Sequence, residues 1–165
     1  MQKLISISSG LLGNVILVEA ANSCKALVMS GGGSNGAWES GVIWGLAHYG
    51  NPDDYKWDVV SGVSAGSINA AAISVWAPGE EVGASEYMVE TWSSLSTDQI
   101  YTTRPETSPI ALFDAPGIYD TTVGVNTLKT IEEQFDGFKR KVSVSAVDAN
   151  TGLKVTFTDE NVPYD

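Results

Sequence analysis

The sequence has little cysteine, little histidine and few basic residues. Its 165 residues include one Cys and one His, which excludes an internal disulfide and a metal site built from several histidines or cysteines. Only 9 Lys and Arg stand against 20 Asp and Glu, and the net charge is −11. Because such a charge repels polyanions, we expect no nucleic-acid partner. The one compact basic run, Lys139-Arg140-Lys141, is interpreted as a solvated approach to a strand.

The N-terminal segment has the pattern of a secretory signal peptide. Lys3 precedes an apolar stretch over residues 4–18, and the small residues Ala20 and Ala21 follow soon after it. The alternative is a buried first strand or helix. We predict a signal peptide over residues 1–21, a domain over residues 22–165, and a secreted or lumenal location. Cys24 then enters an oxidising compartment with no partner in the same sequence.

Strand-like and helix-like segments alternate along the rest of the sequence. Strands are predicted over residues 25–30, 57–60, 141–147 and 154–158, and helices over residues 36–49, 65–76, 86–95 and 127–135. Residues 96–124 are predicted to be irregular, and the five Trp residues to lie mostly in the core. We expect an α/β fold, a three-layer α/β/α sandwich with a mostly parallel central sheet, incomplete at the C-terminus.

A glycine-rich segment, GGGSNG at residues 31–36, stands between the first predicted strand and helix. Without side chains, Gly31, Gly32 and Gly33 allow backbone N–H groups to approach an anion at the start of a helix. The same segment, ending at Gly36, also matches the dinucleotide fingerprint G-x-G-x-x-G. That fingerprint calls for an acidic residue about 20 residues later, at the end of the next strand. The next predicted strand runs instead into Ser61-Gly62, and Asp53-Asp54 precedes it, so the dinucleotide interpretation is disfavoured and no cofactor is expected.

A second motif, GVSAG at residues 62–66, stands between the second predicted strand and a predicted helix. In a nucleophile elbow, glycines such as Gly62 and Gly66 permit the tight turn that exposes the serine, here Ser64. The N–H of Ala65 and the helix dipole face the negative charge that develops during acyl transfer. The motif alone is a weak signal, but its position after a strand and downstream of a glycine loop makes Ser64 the predicted nucleophile.

A nucleophilic serine needs a base, and the sequence offers His48 as its only histidine. In α/β-hydrolases the order is Ser, then acid, then His, whereas His48 precedes Ser64. His48 also falls towards the far end of the helix that follows the glycine loop. We therefore interpret His48 as structural and expect a carboxylate to act as the base.

Several segments together resemble the patatin-like phospholipases, from about Ala26 to Thr158. They are residues 30–37 (SGGGSNGA) with the following Gly41-Val42, residues 60–70 (VSGVSAGSINA) and residues 144–152 (VSAVDANTG). The resemblance implies an α/β/α sandwich that hydrolyses acyl esters of lipids with a Ser–Asp dyad. It implies Ser64 as the nucleophile and the amides of residues 31–33 as the oxyanion hole. Phospholipid or another acyl lipid is the implied substrate.

The sequence departs from the family pattern around the glycine loop. Asn35 stands where many members have Lys or Arg, and Ser30 stands where plant members have Asp. The substitution at residue 35 weakens a charge-assisted anion site. The middle of the sequence, residues 96–124, matches the family only loosely.

The implied catalytic Asp is the third departure. In the family it lies in an Asp-Gly-Gly or Asp-Gly-Ala motif after the strand that matches residues 142–147, and no such motif precedes Asp165. Asp136-Gly137 comes before that strand and is interpreted as a turn, and Asp148 fits the end of the strand. We assign no base and expect the sequence to be a fragment.

Two interpretations of the function are therefore open. The first is a lipid acyl hydrolase with possible transient contact with a membrane surface. The second is a catalytically inactive patatin-like module that binds lipid or a partner. The apolar, proline-punctuated residues 109–119 are interpreted as a loop packed over the core, with a lid or interfacial surface as the alternative.

Overall fold

The computed structural model describes residues 5–6, 16–17, 24–103 and 119–161. Its strands are β1 (Ile5–Ser6), β2 (Ile16–Leu17), β3 (Ala26–Met29), β4 (Val59–Val63), β5 (Thr102–Thr103), β6 (Tyr119–Asp120), β7 (Lys141–Val147) and β8 (Lys154–Thr158). Its helices are α1 (Asn35–Tyr49), α2 (Ala65–Ser74), α3 (Glu81–Ser94) and α4 (Thr122–Glu132), with a 3-10 turn at Thr97–Gln99.

A four-stranded sheet in the order β3-β4-β7-β8 forms the centre of the fold. Strands β3 and β7 pair in parallel with β4, and β8 pairs antiparallel with β7. The predicted α/β fold, with a mostly parallel sheet flanked by helices, is confirmed. Met29 lies opposite Gly62 in the β3–β4 register. The two glycine segments therefore leave the same edge of the sheet next to each other.

The hydrophobic core lies between one face of this sheet and the first three long helices. It includes Met29, Val60 and Val142 from the strands and Ile43, Ile73 and Met88 from the helices. Burying an aliphatic side chain of this size contributes about 1.5–3 kcal/mol. On the opposite face, Val28 and Val147 are 76% and 70% exposed.

Several predicted boundaries differ from the observed ones. Strands β7 and β8 have the predicted bounds, whereas α3 begins at Glu81 and α4 at Thr122, five residues earlier than predicted in both cases. Each added segment contains a glycine, which weakens a helical pattern in the sequence. Gly83 faces the Trp76 ring, and a methyl group there would lie 2.8 Å from it. Glycine at this position thus reflects close packing rather than the end of a helix.

The segment predicted to be irregular contains short regular elements. Strands β5 and β6 pair antiparallel, with Thr103 opposite Tyr119, and the first residues of α4 also fall within it. Apart from Tyr119, the apolar residues 109–119 lie outside the described residues, so their interpretation as a packed loop or a lid stays a prediction.

The N-terminal segment is described only at β1 and β2. These strands pair antiparallel, with Ile5 opposite Leu17. The rest of residues 1–21 lies outside the described residues, and the signal peptide stays a prediction. None of the described helices combines the length and the hydrophobicity that crossing a bilayer requires.

The interpretation of the basic run as solvated is wrong for Arg140, which is only 6% exposed. Its guanidinium donates hydrogen bonds to the backbone carbonyls of Trp57, Trp76 and Ala77 and pairs with Glu81 Oε1 at 2.9 Å. The five N–H donors of arginine suit such a cluster of acceptors. Arg140 therefore links the start of β7 to the α2–α3 connection.

The prediction that the Trp residues lie mostly in the core is wrong. Trp57 is 5% exposed and belongs to the core, whereas Trp44, Trp76 and Trp92 are only partly buried and Trp38 is 74% exposed. Trp38 belongs to the first turns of α1, directly after the glycine loop. The apolar residues at helical spacing from Trp38 do not mark the buried face of α1, which carries Ile43.

Candidate active site

Ser64 occupies a sharp turn between β4 and α2. Its backbone has φ 55° and ψ −124°, and it is the only non-glycine residue with positive φ in the described part of the chain. Holding a residue in such a conformation costs about 1–3 kcal/mol. The side chain makes no capping hydrogen bond, because the Ser67 N–H donates to the Ser64 carbonyl oxygen instead, at 2.8 Å. The exposed hydroxyl of Ser64 is therefore available for chemistry.

Gly62 and Gly66 allow the chain to turn this tightly. A methyl group on Gly62 would overlap the Gly66 carbonyl. A methyl group on Gly66 would lie 2.5 Å from the Met29 carbonyl oxygen and 2.6 Å from that of Ser30. These contacts bring the N-terminus of α2 directly against the end of β3. Gly62 and Gly66, the glycines of the predicted elbow, thus occupy positions where only a hydrogen atom fits in place of a side chain.

The glycine loop lies against Ser64. A methyl group on Gly31 would be 3.0 Å from Ser64 Cβ and 3.7 Å from its Oγ. Gly33 adopts φ 57°, a conformation that glycine takes without steric cost. Among the described residues, none accepts a hydrogen bond from the amides of Gly31, Gly32 or Gly33.

The hydrogen bonds of two loop carbonyls indicate the direction in which two loop N–H groups point. Gly32 and Gly33 accept hydrogen bonds from the N–H groups of Asn35 and Gly36, at 3.1 and 3.0 Å. In a trans peptide the C=O and the following N–H point in opposite directions. The N–H groups of Gly33 and Ser34 therefore point away from α1, as donors at a helix start do when they receive an anion.

Gly36 and Ala65 pack against each other and bring the N-termini of α1 and α2 into contact. A methyl group on Gly36 would lie 2.5 Å from the Trp92 ring and 3.1 Å from Ala65 Cβ. Ala65 is the first residue of α2 and is 5% exposed. Its amide directly follows Ser64 at the positive end of the helix dipole. Every predicted site residue is thus found at one edge of the sheet, around Ser64.

Three residues that the sequence analysis did not single out connect this region. Asn69 is fully buried, and its side chain contacts Glu39 of α1 and Trp92 of α3. The available signal was an amide side chain in a helix otherwise rich in Ala and Ile. A buried polar group needs partners, and such a position therefore indicates a hydrogen-bond network.

A comparison with protein families matches residues 27–165 to the patatin-like phospholipase family. The chain belongs to this family. The match covers both glycine segments and every element from β4 to β8, and the family as a whole comprises lipid acyl hydrolases. No curated protein sequence matches the chain.

In this patatin-like chain, His48 lies far from the glycine loop. It is 13 residues after Asn35 in α1, which corresponds to about 20 Å along the helix axis. Its Nδ1 is 2.9 Å from the Trp44 carbonyl oxygen, and its Nε2 is 3.2 Å from Glu86 Oε1. The imidazole also stacks on Trp44. These contacts suit the structural role predicted for His48.

Asp148 follows β7 at the same edge of the sheet as Ser64, but its carboxylate is occupied. Oδ1 accepts a hydrogen bond from the Asn150 N–H at 2.9 Å, and Oδ2 accepts one from Thr151 Oγ1 at 2.8 Å. These two hydrogen bonds, the Asn150 one foremost, hold the pKa of Asp148 below its usual value. A carboxylate with a lowered pKa that stabilises its own turn is a poor general base.

The other Asp-Gly pair lies away from the site. Asp136 is exposed, 3.6 Å from Lys139 Nζ, and Gly137 has φ 66°, which fits the predicted turn between α4 and β7. Among residues 24–103 and 119–161, no group of three or more His, Cys, Asp or Glu side chains is arranged to hold a metal ion. The described chemistry of the site thus consists of a hydroxyl and backbone amides.

Proposed function

We propose that this protein is a lipid acyl hydrolase, a phospholipase A or lipolytic esterase of lipid catabolism, in which Ser64 is the nucleophile. The observation that carries the proposal is the contact of the glycine loop with the elbow. Gly31 lies so close to Ser64 that a methyl group would be 3.7 Å from its Oγ. This proximity supports the proposal, because acyl transfer requires a nucleophile beside donors for the oxyanion, and the amides of Gly31, Gly32 and Gly33 have no hydrogen-bond acceptor among the described residues.

The proposed reaction has two steps. Ser64 Oγ attacks the ester carbonyl, and the negative charge on the carbonyl oxygen is stabilised by amides of Gly31, Gly32, Gly33 and Ala65. The lipid alcohol leaves, and the acyl group stays on Ser64 until water hydrolyses it. Removing one oxyanion donor of this kind typically lowers the rate about 10²–10³-fold.

The proton of Ser64 passes to a carboxylate and from it to the leaving lipid alkoxide, which departs as the alcohol, as in the Ser–Asp dyad that the family resemblance implies. His48 is held by Trp44 and Glu86, and the Asp148 carboxylate is bound within its own turn. We therefore assign the base to neither residue.

The test is ester hydrolysis by the wild-type protein, expressed from its full-length transcript because no base is assigned within residues 1–165, and by two variants made in the same protein. Ser64→Ala removes the proposed nucleophile, and Ser93→Ala makes the same change at an exposed position of α3. We expect the wild type and Ser93→Ala to hydrolyse phosphatidylcholine or a short-chain nitrophenyl ester, and Ser64→Ala to do neither. A folded wild-type protein that binds lipid vesicles without Ser64-dependent turnover would instead support an inactive binding module.

We further propose that the protein contacts lipid surfaces through apolar side chains at this edge of the sheet. Trp38 is 74% exposed beside the glycine loop, and Val63 is 51% exposed directly before Ser64. The net charge of −11 disfavours attachment to anionic lipids. We expect phosphatidylcholine vesicles to shift the tryptophan emission of the wild type to shorter wavelength, and Trp38→Phe to reduce the shift. An equal shift in both proteins would contradict a role for Trp38.

The proposed location is the secretory pathway, which rests on the composition of residues 1–21. Expression with this segment in a secreting host is expected to give a mature protein that begins near residue 22. N-terminal sequencing of the secreted protein tests this. Retention of Met1 in a protein that stays in the cell would contradict it.

A further inference from the structure

The side chain of Asn69, five residues after Ser64 in α2, is a buried carboxamide. Asn69 is 0% exposed, and its side chain makes three hydrogen bonds. Its Oδ1 accepts from Trp92 Nε1 at 2.7 Å, and its Nδ2 donates to the Gly36 carbonyl at 3.1 Å and to Glu39 Oε2 at 2.8 Å. The side chain thereby joins α2 to α1 and to α3.

Glu39 extends this network to the glycine loop. Its other carboxylate oxygen, Oε1, accepts a hydrogen bond from the Ser30 N–H at 3.0 Å. Ser30 directly precedes Gly31, which contacts Ser64. A continuous path of hydrogen bonds therefore runs from Trp92 through Asn69 and Glu39 to the residue directly before the loop.

Two groups that can only donate, the Trp92 indole N–H and the Ser30 backbone N–H, determine the directions of the hydrogen bonds in this path. The indole N–H of Trp92 can only donate, which fixes the Asn69 carbonyl towards Trp92. The Asn69 NH₂ must then face Glu39, and the Ser30 N–H faces Glu39 from the other side. Residue 39 must therefore offer two acceptors. A carboxylate does so, whereas the amide of Gln directs its own NH₂ at one of the two donors.

The same side chains also set the distance between the loop and the elbow. The Trp92 ring that donates to Asn69 packs on Gly36, where a methyl group would be 2.5 Å away. Gly36 in turn lies against Ala65, the residue after Ser64. The network and this packing thus hold the loop and the N-terminus of α2 in one arrangement.

We infer that Glu39 is a positioning residue, which acts through Ser30 and Asn69 to hold the glycine loop against Ser64. The inference rests on the proposed function, because the position of the loop matters for catalysis only if its amides bind the oxyanion. Among the described residues, Glu39 makes no hydrogen bond to Ser64 and is linked to the site through Ser30 and Asn69. Its loss should therefore slow the reaction of Ser64 without weakening the preceding binding step.

The test compares Glu39→Gln with Glu90→Gln. Glu90 is an exposed residue of α3, the helix that also carries Trp92, and its variant removes the same charge outside the network. Ser64 is labelled with a fluorophosphonate, and the dependence of the rate on reagent concentration separates the maximal rate, kinact, from the apparent binding constant, KI. We expect Glu39→Gln to lower kinact at least about tenfold with KI little changed, since displacements near 1 Å cost up to about 10²-fold. Glu90→Gln should match the wild type.

A conservative variant distinguishes positioning from a general loss of structure. Glu39→Asp keeps a carboxylate with two acceptor oxygens for the N–H groups of Ser30 and Asn69, on a side chain one methylene shorter. We expect kinact of Glu39→Asp to exceed that of Glu39→Gln. If Glu39→Gln does not fold, Trp92→Phe takes its place, because it removes the donor to Asn69 Oδ1 together with ring atoms that pack on Gly36, and kinact should fall at least about threefold.

The outcomes separate this inference from the proposal on which it rests. A wild-type protein that is not labelled at Ser64 would refute the proposed nucleophile and the inference together. Labelling of wild type and Glu39→Gln with equal kinact, or a loss confined to KI, would refute the positioning role alone. A kinact of Glu39→Asp above that of Glu39→Gln supports the need for two acceptor oxygens at residue 39, and a Glu39→Asp variant no faster than Glu39→Gln contradicts it.

Discussion

Gly66→Ala tests whether close approach of α2 to β3 sets the geometry of the site. The added methyl group would lie 2.5 Å from the Met29 carbonyl oxygen, and ordinary van der Waals contact begins at 3.4 Å. To reach ordinary contact, α2 and the end of β3 must therefore move apart by 3.4 − 2.5 = 0.9 Å. The nearest atoms, the carbonyl oxygens of Met29 and Ser30, belong to the backbone and cannot swing aside as the end of a flexible side chain can. Helix α2 must therefore move. Such overpacking costs about 1–3 kcal/mol, which lowers Tm by roughly 2–12 °C in a domain of this size.

The same displacement carries Ser64 away from the glycine loop. A shift near 1 Å reduces catalysis about 10²-fold, and we expect the labelling rate of Ser64 by a fluorophosphonate to fall by that order. Thermal unfolding followed by circular dichroism and the labelling rate are measured on the same samples. The control is Gly45→Ala in α1, where a methyl group meets nothing within 4 Å and should raise stability by about 0.5–1 kcal/mol. Gly66→Ala with unchanged Tm and labelling rate would refute the reasoning.

Two further predictions concern stability. Arg140→Met leaves Glu81 as an unpaired buried charge and is expected to cost about 3–5 kcal/mol, which lowers Tm by roughly 6–20 °C. The same change at the more exposed Lys139 should shift Tm little, and equal shifts at both positions would contradict the role of the ion pair. Because hydrogen bonds lower the pKa of Asp148, its stabilisation is present above its usual pKa of 3.8 and is lost as the pH falls through the lower folded value. Asp148→Asn should therefore unfold in urea with less dependence on pH below about 3.8 than wild type, and an unchanged dependence would contradict this.

The fold could be predicted from local patterns where those patterns were unbroken. Strands β7 and β8 alternate cleanly on either side of the turn at Asn150-Thr151-Gly152, and their bounds were predicted without error. The start of α3 was missed because Gly83 interrupts the helical pattern, although it is required by the adjacent Trp76 ring. Propensity is a local property, whereas the need for glycine at this position arises from a tertiary contact.

The site could be located but not completed from the sequence. The two glycine motifs predicted Ser64 and its loop because a backbone that approaches so closely excludes side chains, and this requirement is visible in the residue types. The partners of Glu39 and Arg140 were not predictable from short motifs. Asn69 lies 30 positions from Glu39 in the sequence, and Glu81 lies 59 positions from Arg140. Hydrogen-bond networks of this kind depend on the relative placement of whole helices, which no short motif records.

The most direct test of the central claim is the identity of the residue that a fluorophosphonate modifies. The wild-type protein is treated with the reagent, digested, and its peptides are analysed by mass spectrometry, with Ser64→Ala and Ser93→Ala treated in parallel. We predict a single modified serine, Ser64, in the wild type and in Ser93→Ala, and no modification in Ser64→Ala. Modification of another residue, or labelling that persists in Ser64→Ala, would contradict the assignment of Ser64 as the nucleophile.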